Sequence, residues 1–203
     1  MLRSIIFVLL ILPNFLHAFE LEIPKARIIG FGAGIASGHY KDNDLSVPLK
    51  GSSYIILNYS KVKSSGFTLT TGFISTTLTG TEVNSLAKTE FDYSVNTFIL
   101  GYGYGFGFSF LSIDPTFLMG LGSGKYNYKV SSSTQGTNQS PKRISTVFKI
   151  HASLPVNIEY WDNLILTALP STGTSFDRFK AGTGGTASLT VSSSFYIILG
   201  GYL

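Results

Sequence analysis

Apolar residues occupy every second position of segment 147–160, whose sequence is VFKIHASLPVNIEY. One set comprises Phe148, Ile150, Ala152, Leu154, Val156, Ile158 and Tyr160. The set between them comprises Val147, Lys149, His151, Ser153, Pro155, Asn157 and Glu159, and most of these side chains are polar. Because successive side chains of a β-strand point to opposite faces, the segment predicts a strand with one apolar and one polar face.

Eight runs of this kind follow one another along the chain, and no amphipathic helix of convincing length appears between them. The runs are residues 26–39, 53–62, 67–78, 91–104, 108–126, 145–160, 164–171 and 186–203. Short connections (63–66, 105–107 and 161–163) alternate with longer polar ones (40–52, 79–90, 127–144 and 172–185). Such alternation is typical of outer-membrane barrels, which have short periplasmic turns and longer extracellular loops.

The separation into two faces recurs in other runs. In the first run, Ile29, Phe31, Ala33 and Ile35 alternate with glycines; in the fifth, an apolar face opposes Ser112, Asp114 and Thr116; in the last, one apolar face comprises Val191, Phe195, Ile197 and Leu199. The fourth run is irregular, because Phe91, Tyr93 and Val95 are in one phase and Phe98, Leu100, Tyr102 and Tyr104 in the other. We therefore predict a β-bulge near Asn96.

Composition decides which solvent meets the apolar face. Charged residues make up 13% of the chain, against about 25% in an average soluble domain. The polar faces carry mostly Ser, Thr, Gly and Asn, and the charges gather at strand ends and in loops. We therefore predict an all-β protein, an eight-stranded antiparallel up-and-down transmembrane β-barrel with lipid outside and a filled polar lumen. The alternative is a soluble lipocalin-like barrel or sandwich, which would also alternate.

The N-terminus predicts export. One basic residue, Arg3, precedes an apolar run at 5–12 and a small residue at Ala18, which is the pattern of a cleaved signal peptide over residues 1–18. The barrel would then span residues 19–203 and lie in the cell outer membrane of a Gram-negative bacterium. The formal net charge of +4 comes from scattered residues, so we expect no nucleic-acid partner.

Three segments carry a resemblance to known proteins: IGFGAG at 29–34, PVNIEYWDNL at 155–164 and FYIILGGYL at 195–203. In these the chain resembles the small eight-stranded outer-membrane barrels of the OmpX and OmpA-barrel type, within the outer membrane protein beta-barrel superfamily. The resemblance covers the whole mature chain and is one of pattern. It implies the same fold and location. That family usually ends in Phe or Trp, whereas this chain ends in Leu203.

Two sets of residues are candidates for a site. Locally, His151 and Ser153, with Glu159 further along, resemble the His-x-Ser motif of outer-membrane lipid A deacylases, in which a histidine activates a hydroxyl. Both side chains are predicted to face the lumen, and a lipid ester lies outside it. We therefore predict no enzyme activity and interpret Asp114, Lys149, His151, Asn157 and Glu159 as a luminal polar network in which opposite charges pair. We expect no metal and no cofactor.

The longer connections are basic and suggest the partners. They carry Lys41, Lys50, Lys88, Lys125, Lys129, Lys142, Arg143, Arg178 and Lys180, which could contact the phosphates of lipopolysaccharide. We predict a monomer in contact with outer-membrane lipids and lipopolysaccharide, with a structural or surface-interaction role: envelope integrity, adhesion, or contact with host or other extracellular ligands through the loops. The alternatives are a narrow pore or carrier of small hydrophobic molecules, and the hydrolase.

Overall fold

A computed structural model describes residues 27–42, 45–61, 66–83, 87–108, 110–132, 136–139, 143–161, 164–180 and 186–202. The predicted signal peptide and Leu203 lie outside these ranges. The strands are β1 (Arg27–Asp42), β2 (Leu45–Lys61), β3 (Phe67–Val83), β4 (Ala87–Tyr104), β5 (Phe106–Phe108), β6 (Leu111–Ile113), β7 (Thr116–Ser132), β8 (Gly136–Gln139), β9 (Arg143–Ser153), β10 (Val156–Trp161), β11 (Leu164–Lys180) and β12 (Thr186–Tyr202). No helix within the described ranges is long and apolar enough to cross a bilayer.

The strands form a closed ring of eight barrel strands, all antiparallel. β5 continues β4, β7 continues β6 and β10 continues β9, because the register of strand pairing is the same on both sides of each interruption. β1 pairs with β2 on one side and with β12 on the other, and β12 also pairs with β11. The ring confirms the predicted eight-stranded up-and-down barrel; β8 lies outside it and pairs with β7 alone among the described strands.

Prolines account for two of the three interruptions. Pro115 separates β6 from β7 and Pro155 separates β9 from β10; neither has an amide hydrogen for the ladder. The neighbouring amides still bond across the gap, with Asp114 N donating to Pro155 O at 2.9 Å and Leu154 N to Pro170 O at 3.0 Å. The barrel wall is therefore continuous at this level.

The predicted connections differ from the structure at both ends of the barrel. The predicted short connection at 105–107 is wrong, since Phe106–Phe108 is strand β5 and pairs with β6, so the chain turns only after Phe108. The longer connections are largely strand as well: residues 45–52 lie in β2, and 172–180 lie in β11. Their polarity indicated loops, but these strands extend beyond the apolar surface into water, where polar outer side chains are expected.

Around the short-turn end, the barrel has an apolar outer surface that we call the belt: residues 28–36, 53–61, 66–74, 97–108, 110–122, 148–161, 164–171 and 194–202. Its outward side chains include Phe31 (64% exposed), Leu100 (46%) and Leu121 (62%). The predicted apolar face of 147–160 points outward here, with Phe148, Leu154 and Ile158 exposed. Closed hydrogen bonding and an apolar outer surface are the two requirements for a barrel in lipid.

Beyond the belt, at the other end of the barrel, lies a part that we call the collar: the described residues of 37–52, 75–96, 123–147 and 172–193. A 17-residue strand is about 56 Å long at about 3.3 Å per residue. Tilted by about 40°, it rises about 43 Å, against an apolar band of about 25 Å in membrane barrels. The collar therefore extends well past the belt.

The collar reverses the pattern of the belt. Its outward residues are mostly polar, whereas its inward residues, together with Ala36 at the end of the belt, form an apolar core, the collar core, made of Ala36, Tyr40, Val47, Leu49, Leu78, Phe91, Tyr93, Val95, Tyr126, Val147 and Val191. Tyr40 is stacked on Tyr126 with ring centroids 5.6 Å apart and lies 4.7 Å from Phe91. The collar is thus built as a soluble barrel, with water outside and oily side chains inside.

Two predictions are wrong in the collar: the β-bulge near Asn96, and the placement of Val191 on the same face as Phe195, Ile197 and Leu199. The predicted bulge near Asn96 is absent, because β4 pairs with β3 and β7 in unbroken register. Phe91, Tyr93 and Val95 point inward in the collar, whereas Phe98 and Leu100 point outward to lipid in the belt. The alternation of inward and outward side chains continues without a break between them. A bulge does occur in β12, where the pairing skips Ser192, and it turns Val191 inward instead of outward.

Candidate functional site

The barrel interior consists of stacked layers of side chains. Below the collar core lies the middle polar layer, formed by Ser53, Thr76, Thr97, Lys149, His151, Ser171 and Ser194, all of them buried. Below it lies an apolar layer, the lower apolar layer, made of Ile55, Ile74, Ile99, Leu118, Leu169, Tyr196 and Ile198. A lower polar layer with Ser112, Asp114, Thr116, Ser153, Asn157 and Thr167 follows towards the short-turn end.

The lower polar layer brings together part of the predicted luminal network. Asn157 donates its Nδ2 hydrogens to an Asp114 carboxylate oxygen and to Ser112 Oγ at 3.0 Å, and its Oδ1 accepts from Thr167 Oγ1 at 2.6 Å. Asp114 is completely buried. Of the residues predicted to form the luminal network, Asp114 and Asn157 are therefore in direct contact.

A small cavity lies beside this layer. It is lined by Ser153, Asn157 and Thr167 together with apolar residues that include Leu118 and Leu169, and its volume is about 30 Å³. That is room for roughly two waters. The cavity is far too small to be a channel.

Lys149 and His151 lie elsewhere, in the middle polar layer. His151 is fully buried and its Nδ1 is 2.9 Å from Ser171 Oγ. Among the described side chains Lys149, 3% exposed, has no ion-pair partner, so the predicted pairing of opposite charges across the network does not occur there. Gly173 faces His151 on β11, where an added Cβ would lie 2.7 Å from the ring Cδ2.

The residues of the hydrolase alternative are not assembled for catalysis. Ser153 Oγ donates to the carbonyl oxygen of Thr116 at 3.2 Å, and His151 bonds Ser171 instead. Glu159 is only half buried and lies eight positions beyond His151, about 26 Å along a strand. Both His151 and Ser153 point into the lumen, whereas an ester in lipid would meet the outer surface. In the described residues no group of three or more His, Asp or Glu is arranged to hold a metal ion.

The outer face of the collar carries most of the described exposed charge. Lys41, Lys50, Lys88, Lys125 and Lys129 are exposed there, together with Asp92. Lys88 Nζ lies 2.5 Å from Glu90 Oε1, and this contact lowers the pKa of the Glu90 carboxyl below its ordinary value, with a smaller contribution from Lys129. The predicted basic residue Lys142 lies outside the described residues, and the side chains of Arg143, Arg178 and Lys180 are not described.

Sequence reasoning missed the two apolar layers of the lumen. The signal for the collar core was present in the fourth run, where aromatic residues change phase between Val95 and Phe98. The change marks the level at which the outer solvent changes from water to lipid. The lower apolar layer gave no comparable signal. Its inward residues are flanked along each strand by apolar residues that face lipid, so the sequence does not show which of them point into the lumen.

The fold and its surface define a class of protein: a closed eight-stranded β-barrel with a lipid-facing belt and a water-facing collar. No family model matches the chain, and no curated protein matches its sequence. Among solved structures it is similar to Ail, the attachment invasion locus protein of Yersinia pestis, at 16% identity over 86% of this chain and 99% of that one, with a TM-score of 0.42.

Two other solved structures are also similar to this chain. Neisserial surface protein A matches at 13% identity over 83% of this chain and 96% of its own, with a TM-score of 0.40. The translocator domain of the autotransporter NalP from Neisseria meningitidis matches at 12% identity over 99% and 98%, with a TM-score of 0.28. The assignment of the barrel rests on the closed ring of strand pairs in this chain.

Proposed function

We propose that the protein is a surface-contact protein of the bacterial outer membrane: a sealed barrel, anchored by its belt, that presents a basic collar to anionic molecules outside the cell. The observation that carries the proposal is the reversal of polarity between belt and collar. A lipid-facing belt fixes the barrel in the bilayer, and the collar places a wide polar surface beyond it. We also propose that residues 1–18 are a signal peptide that is cleaved during export.

The interior argues for contact over transport. The collar core and the lower apolar layer both cross the lumen with residues that are almost completely buried, such as Tyr93 and Ile99. Ions do not pass a filled apolar constriction, because they would have to shed their hydration shells. We therefore expect no conductance from the purified protein in planar bilayers.

The charge of the collar suggests the class of partner. The five described exposed lysines outnumber the acidic groups beside them on this face, Glu90 and Asp92, and Glu90 is already paired with Lys88. An excess of exposed cations attracts phosphate or sulfate groups of lipids and polysaccharides in a salt-dependent way. Ail has been solved in complex with the heparin analogue sucrose octasulfate, and heparin is a suitable polyanionic probe here.

The test compares three forms of the protein in lipid vesicles: wild type, a variant in which Lys41, Lys50, Lys125 and Lys129 are all changed to Gln, and a control with Arg at the same positions. At about 1 kcal/mol per lysine near an anionic surface, we expect the Gln variant to bind heparin at least tenfold more weakly at low salt. The Arg control should bind like wild type. Equal heparin binding by all three forms would contradict the proposal.

The membrane location is tested separately. A folded barrel should be found in the outer-membrane fraction and should migrate faster on gels when unboiled. A protein that stays in the soluble fraction would exclude the proposal, whatever its affinity for heparin.

A further inference from the structure

The longest interruption of strand pairing in the described barrel wall lies between β11 and β12. Pairing stops at Thr172 and Ser193 and resumes at Asp177 and Leu189, so residues 173–176 and 190–192 are not paired with each other. Over the same stretch β11 stays paired with β9, and β12 stays paired with β1 except at the bulge. The wall is therefore weakened along one line, which we call the β11–β12 seam.

The seam lies at the edge of the lipid-facing surface. Ser171 and Ser194 are the last belt residues of β11 and β12, and the interruption begins directly beyond the next pair of residues. Backbone groups without a ladder partner cannot remain in hydrocarbon, whereas water can hydrate them at the membrane boundary. On the outer side, Thr172 Oγ1 reaches the carbonyl oxygen of Ser192 at 3.5 Å, a long and weak contact. The seam is thus placed where two strands can part at low cost.

His151 spans the seam from inside the lumen. This buried residue lies on β9, and its Nδ1 is 2.9 Å from Ser171 Oγ on β11. Its ring also forms a hydrogen bond with the backbone of Val191 on β12. Gly173 stands opposite His151 on β11 and leaves room for this reach, because an added Cβ would lie 2.7 Å from the ring Cδ2. One side chain therefore ties β11 to β12 where the ladder does not.

Opening of the seam would uncover the collar core. Val191 adjoins the interruption, belongs to the core and is only 2% exposed. Val147 is a second valine of the core and is fully buried, but its strand is paired on both sides at this position, with Gly122 and with Asp177. The two valines can therefore distinguish opening of the seam from a general loosening of the barrel.

We propose that the β11–β12 seam is a lateral gate to the collar core, and that His151 is the latch that keeps it closed. The hydrogen bonds of one imidazole take the place of the missing ladder bonds, so their loss frees the seam while the other strand pairs remain intact. The gate opens sideways, at the boundary between membrane and water. It involves none of the exposed lysines and does not depend on the contact role proposed for the collar.

The test measures the accessibility of single cysteines in the full chain, folded in lipid vesicles. The chain has no cysteine of its own, so Val191→Cys and Val147→Cys each introduce one thiol. Its rate of reaction with a small charged methanethiosulfonate reports how often the position opens to water. Because local opening follows the hydrogen bonds that oppose it, we expect His151→Leu to accelerate labelling at position 191 at least about tenfold. Labelling at position 147 should stay slow.

His151→Gln, which keeps a hydrogen-bonding group of similar reach, should restore slow labelling at position 191. Heat-modifiable gel mobility shows whether each variant is folded. If His151→Leu does not fold, Ser171→Ala takes its place, because it removes the partner of Nδ1 and should accelerate labelling at position 191 in the same selective way. Unchanged labelling at position 191, or equal acceleration at positions 191 and 147, would overturn the proposal.

Discussion

The boundary between belt and collar predicts very different costs for the same substitution at two positions of β4. Leu100 and Asn96 share the outward face of this strand, and both are exposed. They are four positions apart, about 13 Å along the strand and about 10 Å along the membrane normal at a tilt of about 40°. Leu100 lies two positions from the middle of the outward apolar stretch 98–106, whereas Asn96 lies in the collar.

Lysine at these positions should therefore separate the two environments. A lysine on the lipid face of a barrel costs about 2–4 kcal/mol at the bilayer midplane and about 0–1 kcal/mol near the interface. We expect Leu100→Lys to lower the free energy of unfolding by about 2–4 kcal/mol, and Asn96→Lys to change it by less than about 1 kcal/mol. Leu100→Met controls for the loss of the leucine shape without adding charge.

The assay is equilibrium unfolding in urea with the protein in lipid vesicles. Trp161 is the single tryptophan of the chain, and its fluorescence reports the transition, which gel mobility can confirm independently. A similar loss of stability for Leu100→Lys and Asn96→Lys would refute the division of β4 into a lipid-facing and a water-facing part.

Three further predictions concern single residues. Tyr93→Ala removes a buried ring of the collar core and should cost about 3–5 kcal/mol in the same urea assay, despite lying outside the belt. Gly173→Ala places a Cβ 2.2 Å from Ile150 O and 2.7 Å from His151 Cδ2; the overpacking should cost about 1–3 kcal/mol, and an unchanged urea midpoint would show that the wall relaxes there. Lys88 lowers the pKa of Glu90, so the stabilisation from this pair is present above the carboxyl's ordinary pKa and is lost as the pH falls through the lowered one. Lys88→Met should raise the Glu90 pKa in an NMR titration, and an unchanged titration would show that the ion pair does not form in solution.

Alternation along the strands made most of the fold predictable. In segment 147–159 the outward and inward sets were assigned correctly, because the belt has one solvent outside and each strand keeps its phase there. The glycines of the first run were also placed correctly: an added Cβ on Gly34 would lie 1.9 Å from the carbonyl oxygen of Phe195. Such close approach leaves no room for a side chain on the inner wall.

The errors arose where one strand crosses two solvents. Phe91 and Phe98 are both aromatic, and alternation alone cannot tell that one faces a core and the other faces lipid. From the sequence, a bulge was the simplest explanation for the change of face between Phe91 and Phe98. The actual cause is that the solvent outside the barrel changes from water to lipid between them. The contacts within the lumen were less predictable still, because Lys149 and Asp114 are separated by a layer of apolar residues drawn from several strands.

The most direct test of the account is the environment of outward and inward positions along β4. The chain has no cysteine, so single spin labels can be placed by substitutions such as Asp92→Cys, Tyr93→Cys, Asn96→Cys, Phe98→Cys and Leu100→Cys. In lipid vesicles, labels at 98 and 100 should be relaxed mainly by oxygen from the bilayer, those at 92 and 96 mainly by a water-soluble nickel chelate, and that at 93 by neither. The same relaxing agent dominating at all four outward positions would contradict a barrel that passes from lipid into water between residues 96 and 98.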